Sequence, residues 1–213
     1  MAILEDIKNS IISYKPAKTK EYCQQALAEG LDPQVILSEG LIAGMTVIGA
    51  KFKKNEIYVP EVLISAKATH AGLDVLKPIL SERKAQPVGK FLIGTVKDDL
   101  HDIGKNLVAM MMEGSGFEVI NLGVNVDPDK FIEGIKEHQP DIVGMSSLIT
   151  STLHWAEDTI KAIQNAGLRD QVKIIVGGAP VTEEWALKIG ADGFGKDATA
   201  TVDTARKLLG VVA

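Results

Sequence analysis

Apolar residues in the first half of the chain recur at helical spacing. Ile3, Leu4, Ile7, Ile11 and Ile12 form one stripe, closed by Pro16. The pattern predicts a second helix from about Ala17 to Glu29, ended by Gly30, and an N-cap with proline behind it at Asp32-Pro33. A third helix over about Pro33 to Lys53 carries Ile36, Leu37, Leu41, Met45, Ile48 and Phe52. A fourth starts near Val59-Pro60 and sets Val62, Ala66, Thr69, Leu73, Leu76 and Leu80 on one side. Four helices with short connections predict a bundle. Beyond residue 89 the period changes. Short apolar runs at Phe91–Val96, Glu118–Leu122, Ile142–Ser146, Ile174–Val176 and around Gly193-Phe194 alternate with helical segments. Five β–α units predict an α/β domain, a flavodoxin-like (Rossmann-type) five-stranded parallel sheet in the order 2-1-3-4-5. The N-terminal bundle is then a separate cap.

Charge sharpens that division. Residues 1–89 hold 11 basic and 10 acidic side chains, and residues 90–213 hold 12 and 18. The charged, then Pro- and Gly-bearing stretch Ser81–Gly89 reads as a linker, giving domains 1–89 and 90–213. A net charge of −5 argues against an electrostatic nucleic-acid binder. The chain has 46% hydrophobic and 24% charged residues, the balance of an ordinary globular protein. No apolar run approaches the ~20 residues of a membrane span. The acidic N-terminus is no secretory signal, so no membrane partner is expected and the expected location is cytoplasmic. Cys23 stands alone and excludes an internal disulfide or a multi-cysteine metal cage.

In doubly wound sheets ligands bind beyond the carboxyl ends of the strands. Strand one runs into Asp98-Asp99-Leu100-His101-Asp102-Ile103-Gly104, strand three into Ser146-Ser147-Leu148 with Thr150, Ser151 and Thr152 behind it, and strand four into Gly177-Gly178. Asp99 and His101 suit a metal ligand whose second ring nitrogen is held by a carboxylate. One histidine cannot build a zinc site. A metal already held in a macrocycle needs one protein ligand or none, which points to a tetrapyrrole or a corrin. Gly104, Gly177 and Gly178 clear space for a buried ligand tail. His154 is the rival ligand but has no Asp and Gly companions. Gly40, Gly44 and Gly49 on the third helix read as close helix contact, or as a face kept flat for something bulky. A phospho-receiver is excluded because strand three ends in Ser146, with no aspartate there.

Asp99-Leu100-His101-Asp102-Ile103-Gly104 matches the Asp-x-His-x-x-Gly motif of cobalamin-binding modules, and Ser146-x-Leu148 and Gly177-Gly178 follow in the expected order. The first half, with Lys53-Lys54-Asn55-Glu56-Ile57-Tyr58-Val59-Pro60 before an apolar helix, resembles the helical cap that accompanies this module in methionine synthase and in corrinoid proteins of one-carbon methyltransferase systems. The resemblance implies cobalamin (methylcobalamin or a related corrinoid) with His101 as axial cobalt ligand, displacing the cofactor's own base. It implies that Asp99 holds His101 and that Thr152 extends the relay. Ser146 and Leu148 would line the pocket of the displaced tail, with room left by Gly177 and Gly178. The implied function is a methyl carrier, shuttling a methyl group on cobalt from a substrate-specific methyltransferase to a second one that serves an acceptor such as a folate or thiol. A reductive activator would complete the set of partners. A cobalamin-binding sensor is the alternative, and the small subunit of a cobalamin mutase a third possibility.

Overall fold

Burial of the predicted stripes accounts for the helical half of the computed structural model, which describes residues 2–82 and 87–211. Helix α1 (Ala2–Ile12) buries Ile3, Leu4, Ile7 and Ile11, and α2 (Pro16–Ala28) buries Thr19, Cys23 and Ala26. Asp32 caps the next helix by accepting from the Gln34 amide at 2.8 Å. That helix starts as α3 (Pro33–Val35), widens into a π-helical stretch over Ile36–Ile42 and continues as α4 (Ala43–Lys53). The fourth rod is α5 (Val59–Glu82). A Cβ on Gly40 would stand 2.9 Å from Ile7 Cγ2, and one on Gly44 2.9 Å from Ile11 Cδ1. These two glycines serve close helix contact. On α5 the buried face includes Ser65, Ala68 and Gly72 with Val62, Ala66, Thr69 and Leu76, while Leu73 is half-buried. Small residues thus sit where the apolar pattern favoured leucine.

One expectation is corrected. Pro33–Lys53 runs 21 residues and is long and apolar enough, by length and composition, to cross a membrane. Its composition has a local cause, since Ile36, Gly40, Leu41, Gly44, Met45, Ile48 and Gly49 are all buried. Of the segment read as a linker, residues 83–86 lie outside the described residues.

The chain divides into two units, Met1–Pro87 with Glu113–Gly116 and Val88–Met112 with Phe117–Ala213. In the second unit five parallel strands stand in the order β2 (Glu118–Asn121), β1 (Lys90–Thr95), β3 (Ile142–Ser146), β4 (Lys173–Gly177), β5 (Gly193–Gly195). The intervening helices are α6 (Ile103–Gly114), α7 (Pro128–His138), α8 (Leu153–Asn165), α9 (Glu183–Lys188) and α10 (Ala198–Leu209). Leu92, Val143, Met145, Ile174 and Val176 of the sheet form one core with Phe131 and Ile135 of α7 and Ile160 and Ile163 of α8. Strands buried this fully read as continuous apolar runs, hence their legibility. The register then sets out the site. Thr95 pairs with Ser146, Ser146 with Gly177, and Gly177 with Gly195. Four strands end level, and their loops leave from one row.

Candidate functional site

The loop after β1 folds back on itself around a buried carboxylate. Asp99 is fully buried and takes two donors on each oxygen. Its Oδ1 accepts from the His101 amide at 3.0 Å and lies 2.7 Å from His101 Nδ1. Its Oδ2 accepts from the Leu148 amide at 2.7 Å and from the Thr152 hydroxyl at 3.2 Å. Thr152 is steadied by Ser147, with the two hydroxyls 2.9 Å apart. Burial alone would raise the pKa of Asp99. The donors from Leu148, His101 and Thr152 outweigh it and hold the carboxyl below its ordinary range. Asp99 is therefore an anion at neutral pH, so the proton between it and His101 sits on Nδ1 and the lone pair of the ring on Nε2. The loop is anchored once more by the Thr95 hydroxyl, which donates to the His101 carbonyl at 2.8 Å.

The ring of His101 is 53% exposed. Leu100 and Ile103 beside it are 71% and 78% exposed, an uncovered apolar surface around a half-exposed imidazole. At Gly104, in the first turn of α6, a Cβ would meet nothing within 4 Å. Among the described residues no three His, Cys, Asp or Glu side chains gather to hold a metal ion. A single free imidazole nitrogen, apolar neighbours and open space fit a metal carried in a macrocycle and do not fit a protein-built metal cage.

Ser146 closes β3, half-buried, in the row of strand ends, and Leu148 is partly exposed with its amide on Asp99. Gly177 and Gly178 stand where expected, and their surroundings define what they do locally. A Cβ on Gly177 would lie 2.6 Å from the Gly195 carbonyl oxygen, and one on Gly178 would run into the Ser147 carbonyl. Gly178 also has φ +133, a conformation that glycine alone adopts without strain. The pair lets the loops after β3, β4 and β5 close on one another. The rival ligand His154 is exposed, its ring 4.8 Å from that of Trp155. In the N-terminal unit Met45 is buried and Tyr58 exposed.

Several residues escaped the sequence reading. Ser147, given no role by the sequence, is the hydroxyl that meets Thr152. Lys105 is buried, with its ammonium donating to Asn106 Oδ1 at 2.7 Å and Asn121 Oδ1 at 2.8 Å. Burial lowers its pKa, partly offset by Asp102. At the start of α10, Thr199 Oγ1 is buried without a hydrogen-bond partner among the described residues. Asp197 caps that helix through the Ala200 amide at 2.8 Å, and the helix begins three residues past Gly195 in the row of strand ends. A buried hydroxyl left unpaired beside the strand ends is what a ligand's polar group would satisfy.

Comparison with known proteins points to the same class of cofactor. A family model of the B12 binding domain matches residues 89–203, and a second B12 binding domain model matches residues 3–77. Trimethylamine corrinoid protein 2 of Methanosarcina acetivorans is 42% identical over 203 residues, 94% of each chain. The dimethylamine corrinoid protein of Methanosarcina barkeri is 39% identical over 208 residues, 97% of each chain. Among solved structures, a cobalamin-binding protein from Desulfitobacterium hafniense DCB-2 superimposes with a TM-score of 0.80 at 31% identity, covering 96% of this chain and 98% of that one.

Proposed function

The chain belongs to the B12-binding-domain family of corrinoid proteins, and from that premise we propose that it is the methyl carrier of a methyltransferase system whose methyl donor is a methylamine. The bound corrinoid supplies a cobalt that accepts the methyl group and gives it up. Residues 90–213 hold the cofactor and residues 1–89 serve as its cap. The donor class follows from the names of the trimethylamine and dimethylamine relatives, which match this chain over nearly its whole length. The partners are then a methylamine-specific methyltransferase, a second methyltransferase that passes the group to an acceptor such as a folate or thiol, and a reductive activator.

One observation supports this reading most: the 2.7 Å contact from Asp99 Oδ1 to His101 Nδ1, which leaves Nε2 as the free nitrogen of a half-exposed ring. His101 would hold the cobalt through Nε2 in place of the cofactor's own base. Asp99 orients the ring and raises its donor strength, and Leu148 and Thr152 hold Asp99 in turn. The Thr152 hydroxyl can donate to Asp99 or turn to the Ile149 carbonyl, 3.0 Å away. Gly104 leaves the approach open, Ser146 and Leu148 border the tail, and the Thr199 hydroxyl gives the tail a hydrogen-bond partner.

Reconstitution with methylcobalamin, followed by visible spectroscopy of the wild type beside His101→Ala, tests the ligand. The wild type should show a spectrum of histidine-ligated cobalt with the cofactor's base displaced, and H101A should not. Identical spectra refute the assignment. Methyl transfer from trimethylamine, dimethylamine or monomethylamine, each dependent on an added methyltransferase, tests the carrier role, and transfer from none of the three removes the methylamine reading.

A further inference from the structure

Immediately before Asp99 the backbone takes an unusual shape. Asp98 has φ 62, in the left-handed region, where a residue with a side chain carries strain that glycine would avoid. Its neighbours show what holds it there. The Asp98 amide donates to Asn125 Oδ1 at 2.8 Å, and its carboxylate Oδ2 accepts from Trp155 Nε1 at 3.0 Å. Lys97 lies with Nζ 4.7 Å from the centre of the same indole and 2.7 Å from Asp127 Oδ1. Asn125, itself at φ 53, donates its amide to the Asp99 carbonyl at 3.0 Å. Residues 97–99 are thus tied on one side to the segment between β2 and α7 and on the other to the first turn of α8.

We propose that Trp155 and Asp98 are positioning residues for His101: the indole–carboxylate bond holds the loop in the shape that presents the imidazole to the corrinoid. The proposal rests on His101 as axial ligand. The hydrogen bonds of Asp98 and the Trp155 indole run to Asn125 and to each other, not to Asp99 or His101, so their effect on the ligand passes through the loop. Without this tie, the loop would have to be ordered when the cofactor binds, and affinity would carry that entropic cost. Asp98 makes the case specific. Glycine would take the same φ freely but would offer no carboxylate to Trp155.

A double-mutant cycle on the full chain tests this, with hydroxocobalamin titrated into the corrinoid-free protein. Trp155→Phe keeps an aromatic ring beside Lys97 and removes the N–H donor together with the pyrrole half of the indole. It should weaken binding roughly three- to tenfold, the worth of one solvent-exposed hydrogen bond. In a His101→Ala background the same change should have no effect. Equal losses in both backgrounds overturn the proposal, because Trp155 would then act on the cofactor or the fold directly. Unchanged affinity in W155F overturns it as well. Asp98→Gly should reproduce the loss despite relieving the strain, and Asp98→Asn, which keeps an acceptor, should restore most of the affinity. If H101A binds too weakly to close the cycle, amide exchange over residues 97–101 in the corrinoid-free protein decides. W155F and D98G should speed it, and unchanged exchange refutes the tie. An H101A protein that matches the wild type in affinity and spectrum is a separate result and refutes the ligand assignment itself.

Discussion

Asp99→Asn keeps the shape of the side chain at the centre of the site and removes one acceptor. Both oxygens of Asp99 receive two donors, so the new amide must turn its NH2 toward one pair. Facing β3, it would set an N–H against the Leu148 amide at 2.7 Å. Facing the loop, it meets the His101 amide and a ring that is half-exposed and free to turn to water. The second orientation is cheaper and is the one expected. Hydrogen bonds to a charged group contribute about 1.5–3 kcal/mol each, and water recovers part of the ring's share. The cofactor-free protein should therefore lose about 2 kcal/mol at neutral pH. Since the ring is no longer held, corrinoid affinity should fall about 10–100-fold. Acid adds a further signature. The folded pKa of Asp99 is depressed, so its contribution is present above the unfolded value of about 3.9 and is lost as pH falls through the lower folded value. Asparagine does not titrate, and the gap between the two proteins should close below about pH 4. Urea unfolding followed by tryptophan fluorescence is the assay, because Trp155 and Trp185 both belong to the α/β unit. A gap that persists unchanged to pH 3, or no gap at pH 7, would show that the four contacts do not carry the energy assigned to them.

Two glycines should respond in opposite ways. Gly178→Ala places a methyl against the Ser147 carbonyl at φ +133 and should cost more than about 2 kcal/mol in the same urea assay. Gly104→Ala meets nothing within 4 Å and should leave the corrinoid-free protein as stable or about 0.5–1 kcal/mol more so, yet weaken corrinoid binding. Equal affinities for G104A and wild type would mean that the space beside Gly104 is not used. At Thr199, valine preserves the shape and removes the unpaired hydroxyl. Stability without cofactor should rise by about 1 kcal/mol, and binding should weaken for complete cobalamin but not for a corrinoid without its nucleotide tail. A loss with both corrinoids would place Thr199 elsewhere than at the tail.

How much of this was legible follows from how each feature is encoded. Strands β1, β3 and β4 were readable because each is buried along most of its length, and the helices because one face of each is apolar. The small-residue face of α5 was not, since Ser65, Ala68 and Gly72 carry no apolar signal and matter through how closely they let the other helices approach. At the site, Asp99 and His101 lie two residues apart, so local spacing was enough to pair them. Thr152 came from the family likeness, being 53 residues from Asp99. Leu148 was expected to contribute its side chain, and it does more through its amide. Backbone donors belong to every residue except proline and leave no mark in a sequence. The pairing of Trp155 with Asp98 spans 57 residues and follows no period, so only the folded chain shows it.

The chemistry of the site depends on the register of the sheet. Asp99 receives two donors from its own loop and two from the loop after β3. The second pair reaches it only because Thr95 and Ser146 end their strands side by side. A slip of one residue between β1 and β3 would carry the Leu148 amide about 3.3 Å along the strand and turn alternate side chains to the other face. Asp99 would then be a buried carboxylate with half its donors, and its pKa would rise instead of falling. His101 would lose the charged acceptor that fixes its tautomer. The apolar runs of β1 and β3 that set this register are therefore as much a part of the ligand's orientation as the loop motif that announced it.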